Sequence, residues 1–387
     1  MAPLTAPEHV VLLRETLRRF VADEMPRRLA RQWDQRDEFP REVFARLASL
    51  GVMGLTVPEA YGGVGPDVVA TMATIEELAS RSMAICSPYI QSACYAGMNL
   101  AELGSEEQKR DLLPRVAAGE MMFAYGISEP DVGADVASVK TTARREGDAV
   151  VVNGAKRFCS GAAFSDYIYT LVRSGEADAR YQNLTLLLVP PDAAGVTVEP
   201  QRALGLKGSA TADVTFRDVR LPASSIMGGE KGWNAGWGML VGPGLDVEKI
   251  EVAAMALGIA RAAVEDAWEY SQQREQFGKP ICTLQSIRHM LAEVKTRLEA
   301  CRLVTYDAAA RIDQGQEVGV ATSMAKLFVS DSAVEIVLTC QRVLGAYGYV
   351  GDGDMERYVR DVLAMPIIGG SSAVQKNNIC NRLKLPR

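Results

Sequence analysis

The stretch that decides the fold reads R-E-Q-F-G-K-P at residues 274–280 and is followed by Leu284-Gln285. It separates two long segments, 256–274 and 283–312, and a third segment of the same kind covers 321–345. In all three, apolar residues recur at every third and fourth position, which is the spacing of helices with one buried face. We therefore predict that the C-terminal part of the chain is a bundle of long helices.

The pattern changes upstream of this bundle. From Phe123 to about Pro222, short runs rich in β-branched and aromatic residues alternate with turn residues, which predicts an antiparallel β domain. The runs cover 149–153, 167–173, 184–190, 196–200 and 212–221, with turns expected at Asn153-Gly154 and at 192–195.

The N-terminal part again has helical spacing, over residues 7–56 and 67–102, and Ser105 is placed to cap a further helix. The fold class is thus α+β, in the order helical, β, helical. We place the domains at 1–122, 123–232 and 233–387.

Composition excludes several kinds of site and partner. The net charge of −6 argues against nucleic acid as the main ligand. With two histidines and seven scattered cysteines, the chain has little material for a metal centre, and no metal is expected. Neither a secretion signal nor an apolar run of about 18 residues is present. We expect a soluble, cytoplasmic protein without membrane insertion, whose cysteines are reduced and mostly buried.

Three further stretches carry chemistry beside 274–280. They read Y-G-I-S-E-P-D-V-G-A-D at 125–135, N-G-A-K-R-F-C-S-G at 153–161, and Q-R-V-L-G-A-Y-G-Y at 341–349, the last followed by E-R-Y-V-R-D at 356–361. Each resembles a stretch of the acyl-CoA dehydrogenase family, in the same order and in the matching domain. The resemblance extends over essentially the whole chain.

The resemblance implies an acyl-CoA dehydrogenase-like fold and FAD as the cofactor. In the family the aromatic residue at 158 packs on the flavin ring, the hydroxyl at 160 bonds it, and the arginine at 274 holds the pyrophosphate of a neighbouring subunit's FAD. The cofactor-binding residues expected on this basis are Tyr125, Ile127, Ser128, Gly133, Ala134, Phe158, Cys159, Ser160, Arg274, Gln276, Phe277, Leu284, Gln285, Gln341, Val343, Leu344, Gly345, Ser371 and Ala373.

The chain departs from the family where the catalytic base is expected. Most relatives carry a glutamate in a C-terminal Y-E-G-T-S stretch, but here residues 367–375 read I-I-G-G-S-S-A-V-Q, and Gly369 stands at the glutamate position. Residues 244–250, G-L-D-V-E-K-I, resemble the stretch that supplies a helix glutamate in the isovaleryl-CoA and crotonobetainyl-CoA reductase-like branch. We therefore predict Glu248 as the base, with Asp246 and Glu251 as rival carboxylates.

The implied reaction is α,β-dehydrogenation of a short, branched or polar-tailed acyl-CoA. The substrate-binding residues expected are Ala134, Asp246, Lys249, Gly369 and Gly370, and Gln91, Ser92 and Tyr95 are further candidates. An electron-transfer flavoprotein is the expected electron acceptor, and a homotetramer the expected assembly, with a dimer as the alternative. Rival functions are an oxidase, a flavin monooxygenase or an eliminase on the same fold, and a non-catalytic acyl-CoA binder.

Overall fold

The structure is a computed structural model that describes residues 7–386. The N-terminal part is helical. Its α-helices are Glu8–Glu24 (α1), Arg27–Arg36 (α2), Arg41–Ala48 (α3), Val68–Ala79 (α4), Met83–Tyr89 (α5), Asn99–Leu103 (α6) and Glu106–Ala117 (α7). Between α5 and α6 the chain forms a π-helix, Ile90–Met98, so that one bent helical rod runs from Met83 to Leu103.

Local sequence explains where α7 begins. The Ser105 hydroxyl accepts a hydrogen bond from the Gln108 N–H at 3.2 Å, and the Gln108 side chain accepts from the Ser105 N–H at 2.9 Å. This reciprocal capping box satisfies two donors that the first helical turn cannot pair internally. The predicted cap at Ser105 is confirmed.

A seven-stranded sheet forms the middle of the chain. Its strands are Phe123–Gly126 (β1), Thr142–Glu146 (β2), Ala149–Lys156 (β3), Tyr167–Arg173 (β4), Leu184–Val189 (β5), Val196–Pro200 (β6) and Ala212–Pro222 (β7). The order is β1-β4-β2-β3-β7-β6, with β5 on β4.

Two expectations for this sheet are wrong in detail. Most strand pairs are antiparallel, but β1 and the first residue of β2, Thr142, pair with β4 in parallel. Asn153-Gly154 is not a turn: it lies inside β3, where the register with β7 shifts between Val152 and Gly154. Pairing with β7 over the whole length of β3 outweighs the local turn preference of Asn-Gly, and the irregularity is absorbed as a bulge.

The C-terminal helices are Gly236–Leu240 (α8), Pro243–Gln273 (α9), Gln285–Asp313 (α10), Gly319–Leu344 (α11), Met355–Val362 (α12) and Ser372–Arg382 (α13). Helices α9, α10 and α11 pack on one another, and α9 and α10 also pack on α4 of the N-terminal part, so the two helical parts share one apolar core. Between α9 and α10, Glu275–Gln276 (β8) and Lys279–Pro280 (β9) form a small hairpin.

Short 3-10 helices connect these elements, at Val52–Thr56, Glu59–Tyr61, Val136–Ser138, Ala177–Ala179, Ala223–Ser225, Gly229–Gly232, Ile281–Thr283 and Gly345–Gly348. None of the helices in the described part of the chain combines the length and apolar character that a membrane span requires. The cysteines are unpaired, and five of the seven are buried, as expected for most of them, whereas Cys282 is partly buried and Cys380 is exposed.

Candidate active site

Glu248 lies in the second turn of α9, and protein surrounds its carboxyl group closely. Burial raises the pKa of this carboxyl to about 7, although the positive charges of Lys249 and Lys326 act in the opposite direction. A carboxyl group that titrates near neutral pH can both accept and return a proton under ordinary conditions.

Glu251 follows three residues later and is buried, with 3% of its surface exposed. Burial and the negative charge of Glu248 raise its pKa to about 8, which a hydrogen bond with Cys94 lowers in part. Within residues 7–386, neither glutamate forms an ion pair. Two coupled carboxyl groups of this kind share protons, and Glu248 is the one that ionises first.

Asp246 and Lys249, both expected to bind substrate, pair with each other. The Lys249 ammonium lies 2.6 Å from Asp246 Oδ1, which also accepts a hydrogen bond from the Thr322 hydroxyl of α11 at 3.2 Å. Lys249 is 2% exposed. Its charge is therefore held by Asp246 beside Glu248 and does not form a direct pair with Glu248.

Lys326 is a site residue that the sequence reasoning missed. It lies buried on α11, and its ammonium donates to the Met365 carbonyl at 2.9 Å, just before the loop that contains Gly369. Burial lowers its pKa to about 8, while the charges of Asp331 and Glu248 raise it. A lysine within the apolar stripe of α11 was the sequence signal that could have marked it.

Two glycines shape the loop at the expected position of the base. Gly369 (φ +58°) and Gly370 (φ +76°) adopt left-handed conformations, and the Gln375 side chain donates to their carbonyls at 3.3 and 3.0 Å. A Cβ added to Gly369 would lie 2.7 Å from Val252 Cγ2. Val252 is one helical turn beyond Glu248 on α9. The loop thus approaches the same face of α9 that carries Glu248.

The start of α13 belongs to the same loop. Ser371 caps this helix, because its hydroxyl accepts from the Val374 N–H at 3.4 Å, and Ala373 is exposed in the first turn. Both expected cofactor residues therefore lie directly beyond Gly369 and Gly370.

Two stacked tyrosines, one from the π-helix and one from β1, lie near Glu248 of α9. Tyr95 of the π-helix stacks on Tyr125 of β1, with ring centroids 3.7 Å apart, and Asn99 donates to the Tyr125 hydroxyl at 2.6 Å. Burial raises the pKa of both tyrosines, and the charge of Glu248 adds to this shift. The π-helix, β1 and α9 therefore meet around Glu248.

A buried ion pair joins the stretches 125–135 and 153–161. Lys156 Nζ lies 2.8 Å from Glu129 Oε1 and 3.1 Å from the Ile127 carbonyl, and both charged side chains are almost fully buried. The Glu129 carboxylate also accepts from the N–H groups of Lys140 and Thr141. This pair fixes the turn that carries Ser128 against β3, while Gly133 and Ala134 stay exposed at its tip.

Phe158 and Ser160 follow β3 on the outer side of the sheet. Phe158 has φ +62° and is 63% exposed, an unusual conformation and environment for a large apolar side chain. Ser160 Oγ lies 2.9 Å from Thr211 Oγ1. The Cys159 side chain instead packs in the core of the sheet, and its backbone hydrogen-bonds with that of Ala212. Phe158 and Ser160, on either side of it, therefore face outward.

The stretches 274–280 and 341–349 form a second cluster. Phe277 (φ +54°) and Gly278 (φ +73°) form the loop of the β8–β9 hairpin, and Phe277 is 88% exposed. The Arg274 guanidinium lies 5.7 Å from the centre of the Tyr347 ring, which joins the two stretches.

The other expected residues surround this cluster. Gln341 donates to the Gly348 carbonyl at 3.2 Å, whereas the Val343 side chain is buried. Gln276, Gln285 and Gly345 are exposed, and Leu284 and Leu344 are partly buried.

The second cluster lies far from Glu248 within one chain. Arg274 follows Glu248 by 26 positions of α9, which corresponds to about 39 Å along the axis. The expected FAD residues of the second cluster therefore lie at the opposite end of α9 from Glu248.

Both groups have features that fit FAD. Each presents a large exposed aromatic ring beside polar groups, Phe158 with the Ser160 hydroxyl and Phe277 with the Arg274 guanidinium. An aromatic face suits a flavin or adenine ring, and a guanidinium suits a pyrophosphate.

Comparison with known proteins gives the same family for each part of the chain. Residues 7–120, 124–219 and 234–384 match the family models described as acyl-CoA dehydrogenase, N-terminal, middle and C-terminal domain. The chain is 36% identical to a 3-(aryl)acrylate reductase of Clostridium sporogenes, over 96% of this chain and 97% of that protein. It is 35% identical to an acyl-CoA dehydrogenase of Bacillus subtilis, over 95% of both.

Solved structures agree with the fold. Butyryl-CoA dehydrogenase from Megasphaera elsdenii superposes with a TM-score of 0.93 at 29% identity, covering 98% of this chain and 99% of that one. An FAD complex of PigA superposes with a TM-score of 0.92 at 25% identity, covering 99% of both chains.

Proposed function

This chain belongs to the acyl-CoA dehydrogenase family, and on that basis we propose that it oxidises the Cα–Cβ bond of an acyl-CoA with Glu248 as the base. Its family makes it an FAD-dependent oxidoreductase. The observation that carries the proposal is the pairing of a glycine with a nearby carboxylate. Gly369 offers no side chain, whereas the partly buried Glu248 lies one turn from Val252, the residue that Gly369 faces.

In the acyl group, two C–H bonds break and one carbon–carbon π bond forms, while the base gains a proton and the acceptor a hydride. Glu248 takes the α-hydrogen as a proton, and the electron pair of the Cα–H bond forms the new double bond. The β-hydrogen leaves with its electron pair, for which bound FAD would supply the acceptor. Ionised Glu248 is the reactive form, and its pKa of about 7 makes a large fraction of it available at neutral pH.

Loss of the α-proton places negative charge on the thioester oxygen, and a hydrogen-bond donor is needed to stabilise this charge. The Gly369 N–H has no hydrogen-bond partner among residues 7–386, and the left-handed loop leaves it free of a side chain. We assign the thioester oxygen to this N–H group, with Gly370 and Ala134 beside the acyl chain. A preorganised backbone donor of this kind stabilises an enolate-like oxygen.

The charged residues Asp246 and Lys249 pair with each other beside Glu248. Their mutual pair keeps Lys249 from forming a direct ion pair with Glu248, so the Glu248 carboxylate stays free to act as a base. We propose that the stacked rings of Tyr95 and Tyr125, which lie near the Glu248 charge, border the acyl chain and favour a short, branched or polar-tailed acyl group.

The test is a panel of acyl-CoA thioesters added to the FAD-bound protein without oxygen. A substrate bleaches the flavin absorbance in proportion to the enzyme present, and the expected best substrates are short or polar-tailed. A yellow protein that no acyl-CoA bleaches would overturn the proposed reaction. Protein that stays colourless after FAD is added would overturn the assignment of both FAD clusters.

Reduction of an α,β-unsaturated acyl group is a second candidate, because the relative from Clostridium sporogenes is named a reductase. The reverse reaction uses the same atoms, with protonated Glu248 returning a proton to Cα. A group with a pKa near 7 is present in both forms at neutral pH. Mixing the reduced enzyme with enoyl-CoA esters, and the oxidised enzyme with acyl-CoA esters, both without oxygen, gives the rate of each direction and distinguishes the two functions.

We further propose a homotetramer, with a dimer as the alternative, in which Arg274 and Gln341 complete the FAD site of a neighbouring subunit. The separation of about 39 Å between Glu248 and Arg274 supports this arrangement, since the two clusters serve one cofactor only if different chains supply them. An electron-transfer flavoprotein is the proposed electron acceptor, and the cytoplasm the proposed location.

A further inference from the structure

Lys326 carries a buried positive charge on α11. Its side chain is 0% exposed, and its ammonium donates to the Met365 carbonyl at 2.9 Å. Within residues 7–386 it takes part in no ion pair, whereas the buried Lys249 is paired with Asp246. An ammonium has three hydrogens to donate, and a buried charge without an opposite charge costs free energy. Such a charge is kept at the expense of stability, which points to a role in the site.

The face of α11 that carries Lys326 is turned towards the start of α9. Thr322 lies one helical turn before Lys326 on the same face, and its hydroxyl donates to Asp246 Oδ1 at 3.2 Å. Asp246 precedes Glu248 by two residues. Burial governs the pKa of Lys326 and of Glu248, and against it the charge of each favours the ionised form of the other. Lys326 therefore lies near the proposed base, across the contact between α9 and α11.

The loop that carries Gly369 is attached to α11 at both of its ends. Lys326 binds the Met365 carbonyl before the loop, and Asp331 accepts a hydrogen bond from the Ser372 hydroxyl after it, at 2.7 Å. These contacts fix the Gly369 N–H, the proposed donor to the thioester oxygen. A backbone donor stabilises a developing charge best when its position is fixed beforehand.

The charges around Glu248 are few. Titratable groups whose charge interacts with that of Glu248 come from four elements: Lys249 and Glu251 on α9, Lys326 on α11, Cys94 and Tyr95 on the π-helix, and Tyr125 on β1. The acidic groups among them are uncharged while Glu248 ionises, because burial raises the pKa of each. Lys249 is neutralised by Asp246. In the described part of the chain, Lys326 is therefore the unpaired cation beside the base.

We propose that Lys326 is a positioning residue, whose ammonium holds the Gly369 loop and supplies a positive charge shared by the base and the thioester oxygen. Negative charge lies on Glu248 before the α-proton moves and on the thioester oxygen afterwards. A fixed cation near both positions stabilises the charge as it moves, without a proton transfer of its own. This inference rests on the proposed function, because it assigns a role within that reaction.

The test measures anaerobic flavin reduction against pH for the parent, Lys326→Met, Lys326→Gln and Ser372→Ala. Methionine removes both the charge and the donor, whereas glutamine keeps a donor without the charge. Ser372→Ala releases the other end of the loop and leaves the charge in place, so it separates anchoring from electrostatics. Lys140→Met removes an exposed lysine paired with Asp131 and is the control for loss of a lysine. FAD content and unfolding temperature show whether each variant folds.

The rate of the parent is expected to rise with pH through about 7, as Glu248 ionises, and to fall again above about 8, as Lys326 loses its proton. Both Lys326 variants should raise the apparent pKa of the rising limb by about one unit, since ionised Glu248 loses its cation. They should also lose the fall above pH 8, and their maximum rate should be about tenfold lower or less. Ser372→Ala should lower the maximum rate only, and Lys140→Met should change none of these quantities.

A folded Lys326 variant with the pH profile of the parent overturns the inference. So does a Ser372→Ala variant that shifts the profile in the same way, because the loop and not the charge would then be responsible. Failure of both Lys326 variants to bind FAD would make the residue a structural one and overturn the inference as well.

If no thioester reduces the flavin of the parent, the proposed reaction fails, and unfolding temperature against pH tests the coupling alone. The pKa of Glu248 is higher in the folded state, so its contribution to stability is present at low pH and is lost as pH rises through about 7. Lys326→Met should move this loss to higher pH, and Lys140→Met should not. An unmoved curve for Lys326→Met overturns the coupling of Lys326 to Glu248.

Discussion

Gly369 faces Val252: a Cβ on the glycine would lie 2.7 Å from Val252 Cγ2. This contact relates two alternative positions for a catalytic carboxylate, one on the loop and one on α9. Glu248 is a single turn from Val252, so a side chain placed on the loop would point at the helix that already carries a glutamate. If Glu248 is the base, as proposed, a carboxylate on either element would approach the same region of α9.

A glutamate placed on the loop should be able to replace the glutamate of α9 only when the loop has room for it. In a Glu248→Gln background, Gly369→Glu alone is expected to restore little activity, because the loop backbone is left-handed and the new Cβ meets Val252. Adding Val252→Ala removes the contacting methyl groups and is expected to raise the rate of flavin reduction above that of the Glu248→Gln parent. Equal rates with and without the loop glutamate would show that the loop does not face the α-carbon.

Glu248→Gln should slow flavin reduction by at least ~10²-fold, the low end of what a general base contributes. Glutamine keeps the size and polarity of the side chain, so FAD and acyl-CoA binding should persist. Stopped-flow absorbance without oxygen, with the best substrate of the panel, gives the rate. Glu265→Gln, an exposed change on the same helix, is the control. A Glu248→Gln variant as fast as the parent would make Glu248 a structural residue.

The pH dependence of the reaction should report the coupled pair Glu248 and Glu251. The reactive form is ionised Glu248, so the rate should fall as pH decreases through about 7. Glu251→Gln removes a neighbour but leaves Glu248 in place. Because Glu251 has the higher pKa, it is still protonated and uncharged while Glu248 titrates, so the variant should keep the apparent pKa in the rate profile near 7. A shift to lower pH would mean that Glu251 ionises before Glu248 and raises its pKa.

The free energy of unfolding should depend on pH through Glu248 and Glu251. It should decrease as pH rises, whereas carboxylates with a lowered pKa make it increase. The pKa values of Glu248 and Glu251 are higher in the folded state, about 7 and about 8, than the ~4.3 of an unfolded chain. The folded protein thus binds more protons between these values, and its stability decreases as pH rises from about 4 to 8. Glu251→Gln should flatten this decrease, as measured by unfolding temperature against pH, whereas Glu265→Gln should not.

The buried pair Lys156–Glu129 should matter for both stability and FAD retention. Lys156→Met leaves the Glu129 charge buried and unpaired, which typically costs about 3–5 kcal/mol. It also loosens the turn that carries Ser128, so bound FAD should decrease. Lys140→Met is the control, since its pair with Asp131 is exposed and such pairs contribute about 0–1 kcal/mol. Equal unfolding midpoints for the two variants would contradict a supporting role for Lys156.

Arg274→Ala should weaken both FAD retention and subunit assembly, because Arg274 lies in a cluster that one chain does not join to Glu248. Light scattering and the flavin absorbance of the purified protein provide the two readouts. Arg297→Ala, which removes an exposed arginine paired within α10, should change neither. A monomer that keeps FAD as tightly as the parent would contradict a shared site.

Sequence alone determined the order of the three parts, most of their elements and the family. Strands Tyr167–Arg173 and Val196–Pro200 and the cap at Ser105 occur where the pattern predicts them, since periodicity and capping depend on neighbouring residues. The resemblance supplied the candidate residues, including the absence of a side chain at Gly369 and the glutamate at position 248.

Only the tertiary structure decided what surrounds those residues. The parallel pairing of β1 with β4, the extension of β3 through Asn153-Gly154 and the contact of Gly369 with Val252 join residues far apart in the chain. The raised pKa of Glu248 and the unpaired carboxamide of Gln91 likewise depend on burial by several elements at once. No local pattern encodes such burial, because it is produced by long-range packing of α9, the π-helix and the sheet.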